Sequence, residues 1–114
     1  QEDRASRSTL ALKHELREMP VIPGSQVTGY MKNEDTRVAW ETLLVPASVA
    51  SAVAYHETTL KQAGWAPVMP LISSDEGGML LFTKGPDICC VRVKRSDLDG
   101  ETRVALLHKQ GALK

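Results

Sequence analysis

Three histidines are the side chains best suited to acid–base or metal chemistry: His14, His56 and His108. They lie far apart in the sequence and form neither an HExxH pair nor another paired ligand spacing. His56 stands out because it falls on the apolar face of a predicted helix. As a core residue it would need backbone or hydroxyl partners for its ring nitrogens. In a pocket between helix and sheet it would instead be an acid–base group or a ligand contact, with Tyr55 or Tyr30 beside it. A lone histidine lacks the partners of nucleophilic catalysis, so we favour the core role and predict no catalytic residue.

The other chemistry-bearing patterns indicate no metal and no cofactor. The segment Asp97–Glu101 resembles a calcium loop only loosely, because it lacks the length and the closing bidentate glutamate of such a loop. Gly77, Gly78 and Gly85 form neither a GxGxxG nor a Walker phosphate loop. No serine stands in a GxSxG motif.

The sequence offers two candidates for a partner surface: the Pro-rich segment Trp65–Ile72 and the segment around the two cysteines. Cys89 and Cys90 are adjacent, so in a strand they point to opposite faces and do not bridge each other easily. The same alternation places Cys90, Arg92 and Lys94 together on the outer face. A solvated strand face explains these residues without a partner, whereas the basic side chains would also suit an anionic partner or lipid head groups. A dimer through the Cys90 thiol is a further alternative.

The composition narrows the functional classes. The chain has 114 residues, which fits one domain, and 42% of them are hydrophobic, which is enough for a core. Its 14 basic and 14 acidic residues cancel, and aromatic residues make up only 4%, so neither a basic field nor a stacking platform favours nucleic-acid binding. No stretch reaches the length of a membrane-spanning helix. Because the chain starts at Gln1 and not at Met, we expect that it was trimmed or processed, which leaves room for a removed leader or lipid anchor.

Patterning predicts a single α+β domain at residues 20–109, preceded by a charged spacer at 1–19 and followed by a loose tail at 110–114. Apolar spacing predicts a short helix over 8–19. A hairpin follows, with strands at 26–33 and 36–45 joined by a polar turn. Val49–Ala63 is the clearest helix, with Ser48 as its N-cap and Gly64 as its stop.

Extended segments fill the rest of the chain. Two prolines make 65–72 an edge or irregular strand, and strands at 79–84, 88–95 and 102–108 are joined by Gly-containing turns. The predicted fold is a two-layer sandwich in which one main helix covers a mostly antiparallel sheet of five or six strands, in the order β-β-α-β-β-β(-β). The predicted core consists of Val38, Trp40, Leu44, Val53, Leu60, Trp65, Leu80, Phe82, Val91, Val93, Val104 and Leu106.

Three short motifs carry a family resemblance. They are Pro20–Ser25 before the first strand, Val45–Val49 at the helix entry, and Tyr55–Trp65, in which a helix ends in Gly-Trp before a strand. Together they resemble small bacterial envelope proteins of the lipoprotein type. Tyr55 and His56 stand where that family has Phe-Tyr, and Ile22 stands where its opening often has Tyr. The resemblance implies an extracytoplasmic α+β domain without a known catalytic centre.

The functional prediction is a non-enzymatic module that binds another envelope protein or itself in the periplasm, tethered through its N-terminal segment. The alternatives are a small-ligand domain or an enzyme with a pocket near His56, and a cytoplasmic location. The sequence predicts no cofactor, no nucleic-acid partner and no transmembrane segment within this chain.

Overall fold

The structure, a computed structural model, describes residues 14–16, 19–97 and 100–111. It has the predicted α+β architecture, with one helix on a single antiparallel sheet. The sheet has seven strands and not the five or six predicted, because two separate two-residue strands form where one irregular strand was expected. The elements in chain order are β1 (Gln26–Asn33), β2 (Val38–Val45), α1 (Val49–Gln62), β3 (Ala66–Pro67), β4 (Ile72–Ser73), β5 (Gly77–Lys84), β6 (Asp87–Arg95) and β7 (Thr102–Lys109).

The sheet joins a hairpin to a meander. Its strand order is β1-β2-β7-β6-β5-β3, and β4 also pairs with β5. All neighbouring strands are antiparallel, as the short connections predict. The last strand, β7, pairs with β6 on one side and with β2 on the other. The first hairpin therefore joins the last strand in the middle of the sheet, and β1 forms one edge.

The helix begins and ends where the sequence predicts. Ser48 is the N-cap, and its side chain accepts a hydrogen bond from the Ser51 amide at 3.1 Å. Gly64 follows the helix with a φ of 97°, a left-handed conformation in which a side chain would be strained. The buried face of α1 packs over β5 and β6, and consists of Val49, Ala52, Val53, His56 and Leu60.

A non-helical segment covers the sheet beside α1. The predicted helix over 8–19 lies mostly outside the described residues, and the described positions 14–16 and 19 are not helical. Leu16 and Met19 nevertheless join the hydrophobic core, with Val21 and Ile22 packed against it. The Tyr55 hydroxyl donates a 2.7 Å hydrogen bond to the Val21 carbonyl, which ties this segment to the helix. We call residues 14–22, as far as they are described, the covering segment.

Strand β2 faces the opposite way from the prediction. Val38, Trp40 and Leu44 were expected inside, but Trp40 is 38% exposed and the other two are only half-buried. The residues that point inward are instead Ala39, Glu41, Leu43 and Val45. Both faces of β2 carry apolar side chains, so alternation alone allowed either orientation. The orientation with Glu41 inside is stable because the covering segment supplies hydrogen-bond donors to its carboxylate.

The remaining core prediction is confirmed. One layer of side chains fills the space between the sheet and its cover, and includes the predicted residues Val53, Leu60, Trp65, Leu80, Phe82, Val91, Val93, Val104 and Leu106. Trp65 follows directly after the helix and is only 3% exposed. It therefore anchors the end of α1 to the sheet, which is the folding role that its position predicts.

Candidate functional site

One face of the sheet has no covering element among the described residues. Helix α1 and the covering segment both pack on the other face, so the alternate side chains of five strands lie open to solvent. We call this the uncovered face. Its side chains are half-buried or exposed, and the most exposed large ones are Met31 at 56% and Trp40 and Ile88 at 38% each. An antiparallel sheet often leaves one face in solvent, and that face then carries mainly polar side chains. The large apolar side chains exposed here make the uncovered face the first candidate for binding.

The strand register lines up apolar side chains across this face. Met31 pairs with Trp40, and Trp40 in turn pairs with Leu107. On the other side of β7, Leu107 pairs with Cys90, and Cys90 pairs with Leu81. These five residues form one line across β1, β2, β7, β6 and β5, which we call the apolar row. With strands about 4.8 Å apart, the row is about 20 Å long.

Three cations lie beside the apolar row. Arg92, Lys94 and Arg103 line a surface hollow of about 590 Å³, together with Thr28, Thr42, Leu44 and Ala105. We call the three cations the basic group. Lys94 and Arg103 are direct cross-strand partners. Like charges in directly opposite positions of a sheet repel each other, so this arrangement would be relieved by an anionic ligand.

The uncovered face carries no compensating acid within the described strands. Its charged positions are Arg92, Lys94, Arg103 and Lys109, whereas its other positions are apolar or uncharged. The whole chain is neutral, with 14 basic and 14 acidic residues. The charge is therefore distributed unevenly: four of the five lysine and arginine side chains of the central strands β6 and β7 point to the uncovered face, and the fifth, Arg95, pairs with Glu76 instead.

The three residues predicted as a partner surface lie together there. Arg92 and Lys94 belong to the basic group, and Cys90 belongs to the apolar row. Burial raises the pKa of the Cys90 thiol, and it raises the pKa of Cys89, on the covered face, to about 12. The raised pKa values favour the protonated thiols at neutral pH, and the side chain of Cys90 contributes apolar surface to the row.

The residues of the alternative pocket are not assembled into one site. His56 is fully buried, and it lines none of the hollows described here. The edge of its ring lies against Tyr55, with centroids 5.3 Å apart, while the Tyr55 hydroxyl is used by Val21. Tyr30 lies on β1, at the far side of the sheet from the strands that carry α1. Neither ring nitrogen of His56 has a hydrogen-bond partner among the described residues, and burial lowers its pKa to about 4.

The other two histidines pair with carboxylates on the covered face. His14 Nδ1 lies 2.8 Å from Glu41 Oε1, and the same carboxylate accepts hydrogen bonds from the amides of Glu15 and Leu16 at 2.9 and 3.4 Å. These contacts hold the covering segment to β2.

His108 Nε2 lies 3.1 Å from Asp87 Oδ2. The Gly111 amide donates to the other oxygen of Asp87 and is the main cause of a lowered pKa of that carboxyl.

Sequence reasoning missed most of the apolar row. Alternation along β2 predicts Trp40 in the core, and the sequence gives no reason to expect Met31 or Leu107 at a contact surface. The alternation of β7 does indicate a second face, because Arg103, Ala105 and Leu107 lie opposite to Val104 and Leu106. It does not indicate the apolar row, because only the register between β2, β7 and β6 places Trp40, Leu107 and Cys90 side by side.

The structure adds two further observations on ligands and membranes. Within the described residues, no three or more His, Cys, Asp or Glu side chains come together as a metal-binding group. No helix in the described part of the chain combines the length and the hydropathy needed to cross a bilayer.

In comparisons with known proteins, the chain matches no family model and no curated protein. The resemblance to envelope lipoproteins therefore stays a prediction.

Proposed function

We propose that this chain is a non-enzymatic protein-binding module that uses the uncovered face as its binding surface. The observation that supports this is the apolar row of Met31, Trp40, Leu107, Cys90 and Leu81, which crosses five strands directly beside the basic group. Apolar side chains aligned in this way provide binding energy through burial. The adjacent cations provide orientation and selectivity.

The partner that fits this face is an amphipathic helix with acidic residues beside its apolar stripe. A helix of about 14 residues is as long as the apolar row. Its apolar stripe would cover the row, and its carboxylates would lie near Arg92, Lys94 and Arg103. Such a helix would give the sheet a layer on its second side, comparable to the layer that α1 provides on the first.

Charge favours a different protein over a second copy of this chain as the partner. Two copies joined through their uncovered faces would bring four cations of each copy into one interface, with no acid from the described strands of either face. Like charges across an interface weaken association. The acidic helix of another protein avoids this repulsion and also relieves the one between Lys94 and Arg103.

The compartment is a separate part of the proposal and is supported by the family resemblance alone. We propose an extracytoplasmic location in the cell envelope, with a tether through the N-terminal segment. Osmotic shock followed by membrane fractionation of the native cells tests this. Recovery with the periplasmic or membrane fraction is expected, whereas recovery with the cytoplasmic fraction would overturn the location but leave the binding surface untouched.

The binding surface is tested by NMR titration of the ¹⁵N-labelled chain. The probe is a synthetic helical peptide of about 14 residues with a leucine stripe flanked by glutamate. We expect chemical-shift changes at the Trp40 indole, Leu107 and Arg92, and no changes on the exposed face of α1. A peptide with lysine in place of each glutamate is the control and should bind weakly. Trp40→Ser should weaken binding, while Val68→Ser, at an exposed apolar position outside the face, should not.

Two other occupants of the face give distinct outcomes. If vesicles containing anionic phospholipid shift the same resonances and the glutamate peptide does not, the face is a lipid-binding surface and the protein-binding proposal is wrong. If sedimentation shows a dimer that Trp40→Ser dissociates, the occupant is a second copy of the chain.

A further inference from the structure

A smaller hollow lies on the opposite side of the sheet, next to the covering segment. It has a volume of about 230 Å³, and its polar walls include Tyr30, Lys32, Arg37 and His108. These residues come from β1, from the turn before β2 and from β7. The basic group is on the other face, so this hollow is a separate place on the molecule and does not depend on the function proposed above.

The strand register explains how the hollow forms. Lys32 pairs with Ala39, and Ala39 pairs with His108, so the three residues form one line on the covered face. The small side chain of Ala39 leaves an open floor between two long neighbours. Across two strand spacings, the backbones of Lys32 and His108 are about 10 Å apart. This width accommodates one small polyatomic ion between the side chains.

Arg37 is held at the rim by a strained backbone. Its φ is 60°, the left-handed region that a non-glycine residue rarely adopts. Two hydrogen bonds fix this conformation: the Arg37 amide donates to the Asn33 carbonyl at 2.8 Å, and the Gln110 amide donates to the Arg37 carbonyl at 3.0 Å. Glycine would satisfy the backbone better, so the arginine side chain is not required by the turn.

The charges around the hollow are predominantly positive. Arg37 is half-buried, and no carboxylate among the described residues lies within ion-pair distance of its guanidinium. Lys32 has only a loose, exposed ion pair with Glu34, at 3.8 Å. Glu15 contributes one acidic side chain to the wall. His108 is held in place by Asp87. The unpaired guanidinium is the group best suited to a planar or tetrahedral oxyanion, because it donates two parallel hydrogen bonds.

We propose that this hollow binds a small oxyanion of the phosphate class. Arg37 is the principal contact, and Lys32 and the Tyr30 hydroxyl are secondary ones. The volume fits a phosphate group and is smaller than the pockets that hold drug-sized ligands. A free phosphate and a phosphate group on a larger molecule or a lipid offer the same chemistry, so the site recognises the group and not one particular carrier.

Titration with inorganic phosphate at constant ionic strength tests this proposal, with chloride as the reference salt. We expect saturable NMR shifts at Arg37, Lys32 and His108. Arg37→Gln should weaken phosphate binding by about ten-fold or more, as expected for the loss of a charge-assisted pair. Arg37→Gly removes the same side chain while relieving the backbone, so it keeps the test valid if Arg37→Gln folds poorly. Arg95→Gln removes an exposed arginine elsewhere and should leave the affinity unchanged.

Several results would overturn the proposal. They are equal shifts with chloride, shifts centred on Arg92 and Arg103 in place of Arg37, or full affinity in both Arg37 variants. A parallel titration with glycerol phosphate and with vesicles containing phosphatidic acid identifies the carrier. If glycerol phosphate or the vesicles bind more strongly than inorganic phosphate, and Arg37→Gly abolishes this binding, the same site is supported. The phosphate group that the site recognises is then carried by that larger molecule.

Discussion

At the scale of single residues, two buried polar side chains differ in how they are accommodated. Glu41 is completely buried, but its carboxylate accepts hydrogen bonds from two amides of the covering segment and lies 2.8 Å from His14 Nδ1. His56 is equally buried and has no partner on either ring nitrogen among the described residues. An unsatisfied buried polar group costs free energy, and the cost rises when that group becomes charged. His56 therefore makes the fold sensitive to acid.

The pH dependence of stability tests the placement of His56. Burial lowers its pKa from 6.5 to about 4, so the unfolded chain binds a proton more readily than the folded chain. The protonation of His56 therefore has little effect on stability above pH 6.5, and it lowers stability as the pH falls from 6.5 towards 4. Between pH 7.5 and 5 we expect this residue to reduce the free energy of unfolding by about 2 kcal/mol.

Urea denaturation at both pH values measures this effect. The difference between the wild-type chain and His56→Leu isolates the contribution of His56, since the other titrating groups are shared. His56→Leu should be less sensitive to acid and at least as stable at pH 7.5. An identical loss of stability in both chains would show that His56 is protonated in the folded protein.

The two tryptophans should respond differently to truncation. Trp65 is 3% exposed and its ring contacts His108 edge to face at 5.7 Å, whereas Trp40 is 38% exposed on the uncovered face. We expect Trp65→Ala to cost about 3–5 kcal/mol through cavity formation. Trp40→Ala should cost about 1 kcal/mol or less, as for a surface position. Chemical denaturation of the two variants decides this, and equal losses would contradict the orientation of β2.

At the scale of elements, the helix could be predicted closely and the orientation of β2 could not. Ser48 and Gly64 mark the ends of α1 with side-chain and backbone chemistry that is local in the sequence. The facing of β2 depends instead on a contact between residues far apart in the chain. A glutamate in a strand normally indicates the solvent face, and only the covering segment makes the opposite arrangement favourable for Glu41.

The attachment of the covering segment to β2 gives a prediction for Glu41. Glu41→Ala removes the acceptor for the amides of Glu15 and Leu16, so we expect a loss of about 1–3 kcal/mol of stability. Hydrogen exchange of these two amides should accelerate much more than exchange within β7. Glu57→Ala is the matched control, because Glu57 forms only an exposed ion pair with Lys61 and should have little effect. Unchanged exchange at Glu15 and Leu16 would show that the carboxylate does not hold the segment.

At the scale of the whole molecule, the covered and uncovered faces of one sheet have different roles. The core on the covered face could be predicted largely from alternation, since Val91, Val93, Val104 and Leu106 each occupy every second position of a strand. The apolar row could not, because its residues come from five strands and become neighbours only through the register. The return of β7 to β2 creates this alignment, by placing Leu107 between Trp40 and Cys90.

The uncovered face is also where the net charge of zero is misleading. A neutral chain suggests no charged partner, yet the cations of the basic group lie together, and Glu41, Asp87 and Glu57 lie elsewhere. The local field at a binding surface, and not the total charge, determines which partner is attracted. Charge reversal on this face should accordingly change the preferred partner without changing the fold.

The most direct test of the binding surface is therefore a charge-swap measurement of affinity. The glutamate peptide and its lysine counterpart are titrated against the wild-type chain, against Arg92→Glu/Arg103→Glu, and against the control Lys61→Glu on α1. Binding by the proposed surface predicts that the wild-type chain and the control prefer the glutamate peptide, and that the double variant prefers the lysine peptide. An unchanged preference in the double variant, with its fold intact, would contradict the assignment of the uncovered face as the binding surface.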